Sequence, residues 1–122
     1  MQNKTDLSSL IITRKPVWLA LSQLFIVSEY QDSPEAIAHT LAASAYTMDE
    51  IYFILRYELT PVLRANLSIF AWPGDAFDEA WLVKKLTPRI NRKPWFSFGL
   101  PKTIHADWQQ VQRYVAIYRQ KN

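Results

Sequence analysis

The residues able to do chemistry in this chain are few and scattered. His39 and His105 stand far apart, and there is no cysteine. Zinc held on one helix needs two histidines four positions apart, so no metal site is expected. His39 falls off the apolar stripe of its segment, and His105 falls in a first helical turn whose dipole disfavours its charge; both read as surface residues. Asp49-Glu50 and Asp78-Glu79 look like paired carboxylates, but neighbours on a helix point about 100° apart and cannot converge on one substrate. Their place near helix starts predicts capping and dipole roles instead. Glu29 and Glu58 are better candidates for a functional acid, since each lies in an aromatic-rich stretch, and a basic partner for either is the plainer alternative. No serine stands in G-x-S-x-G, or in S-x-x-K with its partners. The expectation is a protein that is not an enzyme and carries no cofactor.

One segment has a composition suited to binding. Residues 84–102, KKLTPRINRKPWFSFGLPK, hold six cations and no acid, interleaved with Trp95, Phe96 and Phe98. Cations that track phosphate beside aromatics that stack on bases suit single-stranded nucleic acid. The same mixture suits a protein interface, whose energetic centres favour aromatics and arginine. A third reading leaves the aromatics sealing the core and the cations solvated or paired with acids elsewhere. The candidate partner-binding residues are Arg89, Arg92, Lys93, Trp95, Phe96 and Lys102. The expected partner is a protein with an acidic surface, with nucleic acid as the alternative.

The charge of the chain as a whole sharpens this. Residues 1–83 carry −5 and residues 84–122 carry +8, which the overall +3 conceals. Such asymmetry means either a surface for an acidic partner or two regions that attract each other within the fold.

The elements that must position these residues read as helices. Two glycines in 122 residues argue against a sheet protein rich in tight turns and against a glycine cradle for phosphate. Pro16 predicts the start of a helix running to about Glu29, apolar nearly all round and therefore central. Leu7 to Thr13 fits a short helix or an extended arm. Asp32-Ser33-Pro34-Glu35 signals a second helix, with Ile37, Ala38, Leu41, Ala42 and Ala45 as its stripe. Thr47 with Glu50 forms a capping box for a third, whose stripe is Ile51, Ile54, Leu55, Leu59 and Val62. Pro61 should kink or end it near Leu59. Residues 66–74 read as a loop. A fourth helix follows Asp75 or Phe77, shortened or bent by Pro88, and Thr103 is expected to cap a last helix to about Arg119. The result is an all-α, single-domain bundle of about five helices over residues 1–122, with an N-terminal arm over 1–13 and a basic C-terminal region over 84–122.

The segments RKPVWLALSQLF at 14–25, LAASAYTMDEIYFILRYELTPVLRANL at 41–67 and WPGDAFDEAWL at 72–82 resemble a family of small bacterial proteins with no established activity. The resemblance covers roughly the first two-thirds of the chain and stops before the basic segment. It rests on core positions, caps and prolines, so it implies fold and carries no site residue. Small bacterial proteins of this kind often serve as immunity or accessory proteins, by analogy alone. The opening residues lack a signal-peptide pattern, and the apolar run 17–27 is shorter than the ~20 residues of a membrane span. A cytoplasmic protein without membrane insertion is expected.

Overall fold

Helix follows helix through the computed structural model, which describes residues 4–26, 31–68, 77–95 and 99–121. Helix α1 spans Lys4–Ser22 and passes into a 3-10 turn over Gln23–Phe25. The stretch from Leu7 to Thr13 is therefore helical. Pro16 lies inside α1 rather than opening it. It is tolerated because Pro16 and Ile12 both face outward, so the carbonyl that loses its donor lies on the solvent side. The expected end at Glu29 falls outside the described residues, and the regular helix already stops at Ser22.

Helix α2, Pro34–Ala43, starts where the sequence signals it, with Ser33 Oγ accepting from the Ala36 N–H. Helix α3, Met48–Phe53, opens on the full Thr47–Glu50 capping box. It continues through a π-helical turn, Ile54–Leu59, into α4, Thr60–Ser68. Pro61 does not end the helix. It has no N–H for the Tyr57 carbonyl, and the wider π turn absorbs that mismatch. The Leu55 carbonyl receives both the backbone N–H and, at 2.7 Å, the hydroxyl of Thr60. Residues 66–68 belong to α4, so the expected loop begins later; residues 69–76 are outside the described set.

Helix α5, Glu79–Leu86, is capped by Asp78, whose Oδ2 accepts from the Trp81 N–H at 2.8 Å. Pro88 sits in a 3-10 turn, Thr87–Arg89, that ends it. Helix α6, Lys102–Gln120, follows Pro101; Thr103 lies within it and is not its cap.

Among the described residues there is no strand, and the fold is an all-α bundle of five helices when α3, the π turn and α4 are counted as one. Helix α1 packs on α2, the π turn and α5, while α2 lies along α6. Val17, Trp18, Leu21 and Phe25 of the first helical segment meet Ile37, Leu41, Ile51, Leu55, Leu82, Leu86, Trp108 and Val115 in one core. Arg119 ties the end of α6 to the end of α2. Its guanidinium donates to the carbonyls of Leu41, Ala42, Ser44 and Tyr46, at 2.6 Å for the last. Carbonyls at and beyond a helix end lack the intrahelical donors of the interior, although that of Leu41 also accepts from the Ser44 N–H and hydroxyl.

Candidate functional site

The π turn brings the first functional group into place. Widening the helix buries Tyr57, Glu58, Leu59 and Thr60 in succession, which a regular amphipathic helix does not do. Glu58 is fully buried, and a buried carboxylate needs partners. It has four donors. Arg14 Nε and Trp18 Nε1 reach Oε1 at 3.1 and 2.9 Å. Arg14 Nη2 and the Asn91 backbone N–H reach Oε2 at 2.7 and 3.0 Å. These fill the acceptor capacity of the carboxylate.

Arg14 is satisfied in turn. Its Nη2 also donates to Asn91 Oδ1 at 2.8 Å, and Nη1 donates to the Tyr46 hydroxyl at 3.1 Å, with the guanidinium 5.1 Å from the Tyr46 ring centre. Burial pulls the Arg14 pKa down, but the hydrogen bonds and charge of Glu58 and Tyr46 outweigh it and raise the pKa above its ordinary value. Arg14 is thus a permanent cation. Of the two acids singled out in the sequence, Glu58 is the buried one, and its partner is basic; Glu29 lies outside the described residues. Arg14, Tyr46 and Asn91 also line a depression of about 370 Å³ with Asp49, Glu50, Phe53 and Ile54.

The second functional feature is basic. After α5 and its 3-10 turn, the chain reverses at Asn91, whose φ of 61° is the left-handed conformation that asparagine tolerates. The turn opens a trough of about 730 Å³ lined by Lys85, Arg89, Arg92 and Lys93 with Val62, Trp81, Pro88 and Pro94. Three of the six sequence-derived candidates, Arg89, Arg92 and Lys93, therefore share one groove. Trp95 is 98 % exposed and lies beside the groove rather than in its lining. Lys102 opens α6 and does not line it either. Phe96 lies outside the described residues.

Lys85, Trp81 and the two prolines of the lining are not among the sequence-derived site candidates, although Lys85 belongs to the basic stretch that supplied them. Lys85 precedes Arg89 by four residues, one helical turn back on α5, and that spacing was the available signal. Val62 could be placed there only by the fold.

Among the described residues, no carboxylate pairs with the groove cations. Ion pairs join Arg14 to Glu58 and, in an exposed position at 2.7 Å, Lys15 to Glu79. Lys93 instead stands 5.4 Å over the Tyr57 ring, which packs against Phe53. His39 is exposed and meets the Tyr118 ring edge-on, and His105 is exposed beside Gln109. Among the described residues no group of three His, Cys, Asp or Glu is placed to hold a metal ion, and no helix is long and apolar enough to cross a membrane.

Fold and site together define a small helical domain with a buried, saturated ion pair and an open basic groove. Residues 12–116 match the family model described as a domain of unknown function, DUF7079, and the chain belongs to that family. The match runs through the basic segment, where the resemblance seen in the sequence stopped short. No curated protein and no solved structure matches the chain.

Proposed function

We propose that this protein is a non-enzymatic interaction module whose groove takes an acidic segment of another protein, in an immunity or accessory role in the bacterial cytoplasm. The observation that carries the reading is the groove itself: Lys85, Arg89, Arg92 and Lys93 surround one trough, and among the described residues no carboxylate pairs with them. Four clustered cations repel one another, so their clustering is not itself stabilising to the isolated fold. An acidic segment relieves that repulsion and is steered to the groove at long range. Val62, Pro88 and Pro94 give the walls an apolar character that suits aliphatic side chains interspersed with the acids.

Single-stranded nucleic acid is the second reading, favoured by the exposed Trp95 beside Arg92 and Lys93. The groove lining is less suited to stacked bases, because its one aromatic, Trp81, already stacks on Phe77 at 6.1 Å.

Two labelled probes separate the readings: a ten-residue peptide alternating Glu and Leu, and a ten-residue oligo-dT. The peptide should bind, and the double reversal Arg92→Glu with Lys93→Glu should weaken it by about tenfold or more, the equivalent of ~1.4 kcal/mol. Preference for oligo-dT, with a log–log salt slope near −3 as about four phosphate contacts on a single strand would give, decides for nucleic acid. Binding of neither probe, or peptide binding untouched by the reversal, would sink the groove as the site.

A further inference from the structure

The basic turn is held to the bundle at Asn91 by two polar contacts to the paired Arg14 and Glu58. Asn91 gives its backbone N–H to Glu58 Oε2 at 3.0 Å and takes Arg14 Nη2 on its side-chain oxygen at 2.8 Å. Both partners are almost fully inaccessible to solvent, whereas Asn91 is exposed. The flanking residues are the groove cations Arg89, Arg92 and Lys93. The Arg92 N–H closes the turn on the Arg89 carbonyl at 3.0 Å. Lys93 extends over Tyr57, the neighbour of Glu58 in the π turn. The buried acid and the groove thus meet through Asn91.

We propose that Asn91 is the positioning residue of the basic groove, and that the Glu58–Arg14 pair is the seat that holds it. A carboxylate buried in the core offers the turn a fixed acceptor, and fixed cations bind a ligand with less ordering cost than cations on a loose loop. Asn91 combines the N–H donor to Glu58 with a left-handed φ of 61°, which redirects the chain after the anchored amide. The inference rests on reading the groove as a binding surface, but half of its test requires no ligand.

Asn91→Pro removes the donor and cannot adopt φ 61°. The preceding Ile90 already has ψ 124°, which a following proline accepts, so the change is confined to the turn. Asn91→Gly gives up the Oδ1 acceptor for Arg14 but keeps the N–H donor and the left-handed conformation, and is the rescue variant for these. Amide hydrogen exchange at Arg92 should rise about tenfold or more in Asn91→Pro, with Val111 and Val115 of α6 unchanged. Affinity for the Glu/Leu peptide should fall about tenfold, and Asn91→Gly should restore both readouts to within about threefold.

Unchanged Arg92 exchange in Asn91→Pro overturns the proposal, whatever the peptide does. So does an Asn91→Gly variant as impaired as the proline variant. A third contrary result is faster exchange with undiminished peptide binding while Arg92→Glu abolishes it; the groove then stands and its positioning by Asn91 fails. If Arg92→Glu leaves peptide binding untouched, the groove reading itself fails, and the exchange measurement alone decides whether Asn91 is seated by Glu58.

Discussion

The two charged regions on either side of Asn91 obey opposite rules. At Glu58 the charges are buried, and every acceptor position of the carboxylate has a donor. In the groove a few residues away, Lys85, Arg92 and Lys93 are exposed, Arg89 is half-buried, and no acid answers them among the described residues. Burial makes an unpaired charge costly, so the first region must be complete within the fold. Water tolerates an unpaired charge, so the second region is free to be incomplete. Charge left unanswered on a surface is available to a partner, and the difference separates what holds this protein together from what it presents.

The largest expected effect tests the buried region. Glu58→Ala leaves Arg14 charged and unpaired and strips a partner from the Trp18 and Asn91 donors. Urea unfolding should show a loss of about 3–5 kcal/mol. Replacing both partners, Arg14→Met with Glu58→Leu, should be less damaging than Glu58→Ala, because no lone charge remains buried. A Glu58→Ala variant within about 1 kcal/mol of the parent would erase the contrast between the regions.

Arg119→Ala comes next. It removes the donor for four carbonyls at the α2 end, and hydrogen bonds from a charged group contribute ~1.5–3 kcal/mol. The same unfolding measurement checks it, and a neutral outcome would show that water replaces Arg119 without loss.

Lys15→Ala probes an ion pair that resembles the groove in its exposure, at 43 % and 52 % for Lys15 and Glu79. Its cost should stay within ~0–1 kcal/mol and shrink with added salt. The smallest expected effect is on the groove: Arg92→Glu with Lys93→Glu should shift stability by no more than about 0.5 kcal/mol in either direction. A large drop in melting temperature there would mean that the basic region works inside the fold.

The pH dependence follows from the sign of the Arg14 shift. Its folded-state pKa lies above the unfolded value, so the stability it contributes is complete below the unfolded pKa and lost only as pH rises through the folded one. Arginine titrates above ~12, so urea unfolding between about pH 7 and pH 10 should show no loss traceable to Arg14. A loss over that range which disappears in the Arg14→Met, Glu58→Leu background would contradict the assignment.

Much of the frame could be read from residue order, because its causes are local. Ser33 and Thr47 cap where their side chains reach the next turn, and the apolar spacing of Ile51, Ile54, Leu55 and Leu59 marks the face that becomes core. The absence of cysteine and the basic character of 84–102 are properties of composition. Prolines misled where the outcome depended on surroundings: Pro16 reads as a helix start and Pro61 as a stop, yet one sits on an exposed side of α1 and the other is absorbed by a π turn.

Tertiary structure alone decided which charges are paired. Arg14, Glu58 and Asn91 lie 44 and 33 positions apart along the chain, and no local rule links them. Only packing of α1 against the π turn buries Glu58, and once buried it must gather donors from wherever the fold brings them. The groove divides the same way. Its cations were plain in the sequence, but their convergence with Val62 and Trp81 on one trough is a property of the folded surface.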